Sequence, residues 1–186
     1  MAKVVGFAGS LRKESYNKRC LRVVLFFVKE AGGETEFIDL APLAIPLYDG
    51  DLEKEIQLPD GIKLLREKIA AADGLIVATP EYNHSIPGVL KNTIDWLSRD
   101  KFAPDILTNK KTAIFGASDG SFGTVRAQIA FYPIANTLGL DLMPSKTYVT
   151  NVEQKFDGQG NLTDEKTRDI LKKFAAKFVA FVSPKA

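Results

Sequence analysis

Hydrophobic positions along the chain follow two patterns: short continuous apolar runs, and longer segments with apolar residues three or four apart. The short runs, such as Leu75-Ile76-Val77-Ala78, are typical of parallel strands that are buried on both faces. The longer segments are typical of helices that pack one face on a core, as where Ile170, Phe174 and Phe178 lie four residues apart. The patterns predict strands over residues 3–8, 34–39, 74–79, 112–117 and 141–146, and helices over residues 18–31, 61–72, 89–99, 124–138 and 164–182.

This alternation predicts one α/β domain over residues 1–186. Strands that are separated by helices form parallel sheets, and the helices cover both faces. We therefore expect a flavodoxin-like, doubly wound three-layer sandwich whose five parallel strands have the order 2-1-3-4-5. The proline-containing stretch 41–59 is expected to be a surface loop. Glycines at 32–33 and 139 are expected to end two helices.

The first helix is unusually apolar. Its polar side chains Lys18, Arg22 and Lys29 share one narrow stripe, which predicts that the helix is covered on more than one side and hints at a subunit interface. The single cysteine, Cys20, falls within this helix and is expected to be buried.

Composition sets limits on the class of protein. A formal net charge of +2 gives no reason to expect nucleic acid as a partner. One cysteine cannot form an intrachain disulfide and fits a reducing compartment. The apolar stretch 23–28 is too short to span a bilayer, and the N-terminus lacks the pattern of a signal peptide. We expect a cytoplasmic protein without a membrane span.

Three loops should carry the chemistry. In a sheet of this order, ligands bind beyond the carboxyl ends of the strands, near the point where the strand order reverses. The segments that follow strands one, three and four are loop 1 (residues 9–17), loop 2 (residues 80–88) and loop 3 (residues 118–123). All three are rich in turn-forming and hydrogen-bonding residues.

Loop 1, Gly-Ser-Leu-Arg-Lys-Glu-Ser-Tyr-Asn, predicts a phosphate site. A helix N-terminus offers unpaired N–H groups and a partial positive charge, and Ser10, Ser15 and Asn17 add short side chains. Arg12 can pair with the phosphate or reach a second anion. The loop lacks Gly-Lys-[Ser/Thr] and Gly-x-Gly-x-x-Gly, which favours a terminal phosphate monoester over a nucleoside triphosphate or dinucleotide. The alternative is that Ser15 or Asn17 only caps the helix.

Loop 2 predicts a site for a planar ring. Two prolines and a glycine fix its path, so that its backbone amides can be aimed at a heterocycle. Tyr82 offers a stacking face and Asn83 an amide. The alternatives are that Tyr82 packs at a rim and that Glu81 is a solvated carboxylate. His84 is the only histidine, which excludes a histidine-rich metal site, and it fits a surface position better than a proton donor.

Together these segments resemble a known family. Loop 1 is similar to the Gly-Ser-Leu-Arg-x-x-Ser-x-Asn signature of the NADPH-dependent FMN reductases. Residues 80–96 are similar to that family's block Pro-Glu-Tyr-Asn-x-Ser-x-Pro-Gly-x-Leu-Lys-Asn-x-Ile-Asp-Trp. The pair of motifs is highly specific, and the resemblance, which is strongest to the bacterial quinone and chromate reductases, runs through most of the chain.

The resemblance implies non-covalent FMN and assigns residues to it. The phosphate and its approach would be held by Ser10, Arg12, Ser15, Tyr16 and Asn17. The isoalloxazine ring would be bordered, largely through backbone groups, by Pro80, Glu81, Tyr82, Asn83 and His84, with Ser118 and Gly120 on the remaining side. No metal and no catalytic side chain is expected, because the flavin N5 carries the chemistry.

The implied activity is that of an NAD(P)H-dependent FMN and quinone reductase. NADPH or NADH would be the hydride donor in ping-pong kinetics, and quinones, or oxyanions such as chromate, would be the acceptors. Arg99 is a candidate for contacting anionic acceptors or a neighbouring subunit; the alternative is a solvated arginine at a helix end. A homodimer or homotetramer is implied as well.

Two other functions stay open on the sequence. A flavodoxin-like electron carrier would bind FMN without oxidising NAD(P)H, although carriers of that kind generally present acidic surfaces. A flavin-free receiver domain should carry an acidic cluster after strand one, where loop 1 has only Glu14. The chain also departs from the family at Thr124, where relatives often have glycine, and at Pro133, which is expected to kink or interrupt its helix.

Overall fold

The computed structural model of the protein describes residues 1–99, 101 and 104–183. The strands are β1 (Lys3–Ala8), β2 (Glu34–Ile38), β3 (Gly74–Ala78), β4 (Lys111–Ala117), β5 (Asp141–Leu142) and β6 (Tyr148–Val149). The α-helices are α1 (Tyr16–Glu30), α2 (Gly50–Ile56), α3 (Asp60–Ala70), α4 (Gly88–Leu97), α5 (Val125–Thr137) and α6 (Glu165–Val182), and short 3₁₀ helices cover Ala41–Leu43 and Val152–Lys155.

The strands form a parallel sheet in the order β2-β1-β3-β4-β5, which confirms the predicted topology and the flavodoxin-like α/β fold. Val5 pairs with both Glu36 and Leu75, so β1 lies inside the sheet between β2 and β3. The loops that follow β1, β3 and β4 therefore meet at one edge, as the strand order requires.

The fifth strand is broken into two pieces, so the prediction of one strand over residues 141–146 was wrong. β5 pairs with the start of β4, at Lys111 and Thr112, and β6 pairs with its end. Between them lies Pro144, which has no N–H to donate to a sheet ladder. The two pieces together occupy the fifth position, and the described sheet has six strands instead of five.

Helices cover both faces of the sheet. On one face, α1 and α6 enclose a core that includes Leu21, Phe115 and Phe174. On the other face, α3, α4 and α5 enclose a second core that includes Phe7 and Phe131. The prediction of a three-layer sandwich is confirmed, and the sheet is buried from both sides.

The apolar character of α1 is explained within the chain. The sheet covers one side of this helix and α6 covers another, which leaves Phe26 as its large exposed apolar side chain, at 52% exposure. The prediction that Lys18 lies on an exposed polar stripe was wrong. Lys18 is buried, and its ammonium lies 2.7 Å from the carboxylate of Asp39. Burial alone would raise the pKa of Asp39, but the Lys18 ammonium and the Ala41 N–H hold it below its ordinary value.

The prediction of one surface loop over residues 41–59 was wrong, because this stretch contains the 3₁₀ helix Ala41–Leu43 and the helix α2. α2 begins at the N-cap Asp49, whose carboxylate accepts the N–H of Asp51 at 2.8 Å. It has no buried residue, so an apolar stripe could not reveal it. The local signal that remained was the capping aspartate.

Pro133 does not interrupt α5, which continues from Val125 to Thr137. The proline lies on the exposed side of the helix and removes only one bond of the ladder. The other predicted helices and strands begin and end within two residues of their predicted bounds. Within the described part of the chain, no helix is long and apolar enough to cross a membrane.

Candidate FMN site

Loops 1, 2 and 3 meet in a cleft at the carboxyl edge of the sheet. Its lining consists of Ser10, Arg12, Ser15, Tyr16, Asn17, Pro80, Glu81, Tyr82, Ala117, Ser118, Asp119 and Val152. The structure thus brings together most of the predicted site residues. Asn83, His84 and Gly120 lie outside the lining, in the same loops, and Arg99 lies elsewhere.

The cleft begins at Gly9, where β1 gives way to loop 1. A Cβ on this residue would lie 2.9 Å from the Cβ of Leu90 in α4, which is closer than such atoms approach. The first residue of the loop therefore has to be glycine for β1 and α4 to lie so close together. This packing holds loop 1 beside loop 2.

Loop 1 leads into a helix start that is capped and yet open to an anion. Ser15 is the N-cap of α1, and its hydroxyl accepts the Lys18 N–H at 3.5 Å. The backbone N–H groups of residues 13–17 have no hydrogen-bond partner in the described chain, and the first turn contains no acidic residue. The capping alternative is thus correct for Ser15 and does not compete with anion binding, because the cap satisfies only one of several donors.

Asn17 uses its side chain to hold the site together. Its amide accepts the N–H of Ala117 and donates to the carbonyl of Ala117, both at 2.9 Å, across 100 positions of sequence. The residue is buried, at 3% exposure. The side-chain amide is therefore committed to the end of β4, and Asn17 offers the cleft its backbone N–H.

Loop 2 contains a tight turn at its tip. Tyr82 and Ser85 exchange two backbone hydrogen bonds, at 3.1 and 3.0 Å, and Asn83 and His84 between them both have positive φ, 48° and 64°. Two positive φ values in succession are typical of a type I′ turn, which asparagine tolerates better than most residues. The turn places the His84 side chain in solvent. The backbone N–H groups of Glu81, Asn83 and His84 have no partner within the described residues.

Glu81 is not the solvated carboxylate that the sequence allowed. Its side chain is only 12% exposed, and its carboxylate accepts the backbone N–H groups of Arg126 at 2.8 Å and Ala127 at 3.2 Å. The Arg126 guanidinium lies 3.2 Å from the same carboxylate. Glu81 thus joins loop 2 to the first turn of α5.

Loop 3 closes the remaining side through contacts that the sequence did not reveal. The Ser118 hydroxyl accepts the Gly120 N–H at 3.1 Å, and the Asp119 carboxylate accepts the Glu153 N–H at 2.9 Å. The second bond brings the 3₁₀ helix Val152–Lys155 to the cleft, where Val152 lines the wall. The lining residues that were not predicted from the sequence are Ala117, Asp119 and Val152. The first two adjoin the predicted Ser118, whereas Val152 comes from a segment without a local motif.

Arg99 lies in a different groove, between α4 and α5, together with Lys91, Asp95 and Pro133. Its guanidinium donates to the hydroxyl of Tyr48 at 3.2 Å and lies 5.0 Å from the centre of that ring. The groove does not share lining residues with the loop cleft. Arg99 is therefore part of a contact between α4 and the segment before α2.

The titratable groups in the described part of the chain do not form a metal site. No three histidine, cysteine, aspartate or glutamate side chains lie together there. Cys20 is buried, and its burial raises the pKa of the thiol from 9.0 to about 12. The thiol is accordingly protonated at neutral pH and inert as a nucleophile.

The fold and the cleft define an α/β protein of the flavodoxin-like class, with a cleft formed by loops at the carboxyl edge of a parallel sheet and free N–H donors at a helix start. Comparison with known proteins then gives the family. Residues 2–154 match the NADPH-dependent FMN reductases, and the chain belongs to this family. FMN is the cofactor of that family, and the resemblance found in the two motifs is confirmed.

Individual relatives match over nearly their whole length. An NAD(P)H-dependent FMN reductase of Pseudomonas aeruginosa is 42% identical over 173 residues, which are 91% of this chain and 89% of the relative. A quinone reductase of Escherichia coli is 38% identical over 183 residues, with 97% and 95% of the two chains covered. Among solved structures, the flavoenzyme NAD(P)H:(acceptor) oxidoreductase FerB of Paracoccus denitrificans superposes with a TM-score of 0.80 at 29% identity, over 98% of this chain and 97% of that one.

Proposed function

We propose that the chain is an FMN-dependent NAD(P)H oxidoreductase that reduces quinones. The family and the names of the relatives support this activity. The single observation that carries the proposal is the row of unpartnered N–H groups at the start of α1, next to the turn-forming backbone of loop 2. FMN carries a phosphate at one end and a planar ring at the other, joined by a ribityl chain.

The residues of loop 1 fit the FMN phosphate. The N–H groups of residues 13–17 and the helix dipole of α1 favour a dianion. The hydroxyls of Ser10 and Ser15 line the same wall, and Arg12 adds a positive charge. In this proposal these residues, with Tyr16 and the backbone of Asn17, hold the phosphate and its approach.

The residues of loop 2 fit a flavin ring. The free N–H groups of Glu81, Asn83 and His84 are available as donors to ring oxygens and nitrogens. Tyr82, at 48% exposure, leaves an aromatic face at the rim of the cleft. Ser118 lines the opposite wall. We assign the ring to this half of the cleft.

When bound, FMN supplies the two-electron chemistry that connects NAD(P)H with a quinone. The chain's own groups hold the ligand and stabilise negative charge at the ring with fixed N–H donors. We assign no side chain as nucleophile or proton donor. Arg99 stays a candidate for contacting an anionic acceptor, and chromate a candidate acceptor, both open to direct test.

We also propose a homodimer or homotetramer in the cytoplasm. Exposed apolar side chains lie on the three site loops and on α5, namely Leu11, Tyr82, Phe122 and Ile129, at 54%, 48%, 65% and 56% exposure. Apolar surface of this kind is typical of subunit interfaces. Light scattering after size exclusion measures the mass of the assembly, and a monomer would contradict this part of the proposal.

Anaerobic stopped-flow spectroscopy tests the activity. The FMN-loaded protein should lose its flavin absorbance when it is mixed with NADPH or NADH, and regain it when the reduced protein is mixed with a quinone. If neither nucleotide bleaches the bound flavin, the protein is an electron carrier and the reductase proposal is wrong. Steady-state rates, measured while the concentrations of nucleotide and quinone are both varied, should give parallel double-reciprocal lines, as ping-pong kinetics requires.

A further inference from the structure

Glu81 occupies an unusual place between two walls of the cleft. It belongs to loop 2, yet its carboxylate binds the N–H groups of Arg126 and Ala127, which lie 45 and 46 residues further along the chain. α5 has no cap of its own, because the hydroxyl of its N-cap Thr124 accepts no backbone N–H of the helix and instead accepts the side-chain amide of Gln128 at 3.1 Å. Glu81 therefore supplies from outside the acceptor that a helix N-terminus needs.

The anchoring of this side chain fixes the backbone beside it. The N–H of Glu81 has no partner in the described chain, whereas its carboxylate has three contacts of 3.2 Å or less. On the preceding side, the buried Thr79 hydroxyl donates to the Pro80 carbonyl at 2.8 Å. On the following side, the Tyr82–Ser85 pairing closes the turn. The free N–H of Glu81 is thus held in one direction by restraints on both sides and by its own side chain.

We propose that Glu81 is a positioning residue that aims the backbone of loop 2 at the isoalloxazine ring and sets the distance between loop 2 and α5. The inference rests on the proposed function, since it takes the ring to lie against loop 2. In this proposal the Glu81 carboxylate acts on the position of the ring, whereas loop 1 holds the phosphate. Loss of this anchor changes the electronic environment of the flavin more than its retention.

The first measurement is made on the FMN-free protein, so that it does not depend on catalysis. Hydrogen exchange followed residue by residue should show the Arg126 and Ala127 amides exchanging at least about tenfold faster in Glu81→Ala than in the unchanged protein. Glu81→Gln keeps an acceptor oxygen and should lie between the two. Arg126→Gln is the matched control: it removes the guanidinium contact, keeps both backbone N–H groups, and should leave their exchange unchanged.

The second measurement is made on the FMN-loaded variants. Glu81→Ala should shift the visible absorbance bands and the midpoint potential of the flavin, with the dissociation constant of FMN changing less than about tenfold because the phosphate contacts are intact. Glu81→Gln should restore part of both shifts. A purely structural role would alter stability and leave the potential where it was.

The outcomes separate the inference from the function it rests on. Unchanged exchange at Arg126 and Ala127 in Glu81→Ala, or an unchanged potential and spectrum in loaded Glu81→Ala, would overturn the positioning role. If Glu81→Ala does not fold, the same two measurements on Glu81→Gln decide, and values equal to those of the unchanged protein contradict the inference. Failure of NADPH and NADH to bleach the unchanged protein, with the exchange and potential shifts present, would overturn the reductase activity alone.

Discussion

Two helices begin at the cleft in opposite ways. α1 caps itself with Ser15, has no acidic residue in its first turn and leaves the N–H groups of residues 13–17 without partners. α5 makes no cap of its own, and the carboxylate of Glu81 already occupies two of its first N–H groups. Both ends carry the same partial positive charge. The difference lies in whether the chain itself has supplied the anion.

This contrast explains which helix end can receive a ligand. An anion at the start of α5 would have to displace a carboxylate that is nearly buried and makes three contacts. An anion at the start of α1 meets free donors. Helix N-termini attract anions in general, but here the start of α1 keeps free donors, whereas the start of α5 is already bound by a carboxylate of the chain.

The largest effect is expected when the open end of α1 is closed. Ser15→Asp keeps a good N-cap, since aspartate caps as well as serine, but it places a carboxylate where the phosphate would lie. Repulsion between the two anions at a separation of about 4 Å should weaken FMN binding on the order of 100-fold, or about 3 kcal/mol. Titration of the FMN-free protein, followed by the quenching of flavin fluorescence, measures this loss.

A neutral substitution provides the control for that experiment. Ser15→Asn has nearly the shape of Ser15→Asp without its charge; it removes the hydroxyl but adds no repulsion, so it should weaken FMN binding by only about tenfold. The thermal stability of FMN-free Ser15→Asp should be equal to that of the unchanged protein or higher. Equal FMN affinities in Ser15→Asp and Ser15→Asn would mean that the start of α1 is a capped helix and not a phosphate site.

A smaller effect, on stability, is expected from cutting the connection between α1 and β4. Asn17→Ala leaves the buried N–H and carbonyl of Ala117 without their partners at 2.9 Å. Removal of these bonds should cost about 2 to 3 kcal/mol of the free energy of unfolding, which urea denaturation of the FMN-free protein measures. Asn161→Ala, at an exposed turn, is the control and should cost less than about 0.5 kcal/mol. A similar loss in both variants would contradict the role of Asn17 as a clamp.

The smallest effect concerns the body of α1 instead of its ends. Burial raises the pKa of Cys20 from 9.0 to about 12, so above pH 9 the unfolded thiol ionises while the folded thiol does not. The unfolded state then binds fewer protons, and stability falls as pH rises, by about 1.4 kcal/mol at pH 10. Between pH 8 and pH 10, the free energy of unfolding of Cys20→Ala should therefore fall by about 1.4 kcal/mol less than that of the unchanged protein. Parallel curves for the two proteins would show that the thiol is not shielded from solvent in the folded state.

Local patterns revealed those parts of the site that are continuous in sequence. The turn-rich segments after β1, β3 and β4 were predicted at one edge of the sheet because parallel strands end together. A cap at Ser15 was the alternative to a phosphate contact, because serine before an apolar helix caps it routinely. The broken fifth strand and the helix α2 were missed, since one has a proline within an apolar run and the other has no buried stripe.

The roles of individual side chains were less accessible, because their partners are distant in sequence. Nothing near Asn17 indicates that its amide reaches Ala117, and nothing near Glu81 indicates that its carboxylate caps α5. The sequence likewise predicted an exposed position for Lys18, because its partner Asp39 lies 21 residues further along the chain. In each case the residue type was noted, but its contact depends on how strands β1, β3 and β4 align.

The sequence by itself thus determined the fold class, the strand order, the three site loops and the family, because these depend on hydrophobic period, turn chemistry and motifs within short segments. Tertiary structure alone decided which helix end is open to an anion and which is closed. Packing places the Glu81 carboxylate of loop 2 against the start of α5. Packing places no carboxylate of the described chain on the N–H groups at the start of α1. Identical backbone dipoles acquire different functions through the side chains that folding places next to them.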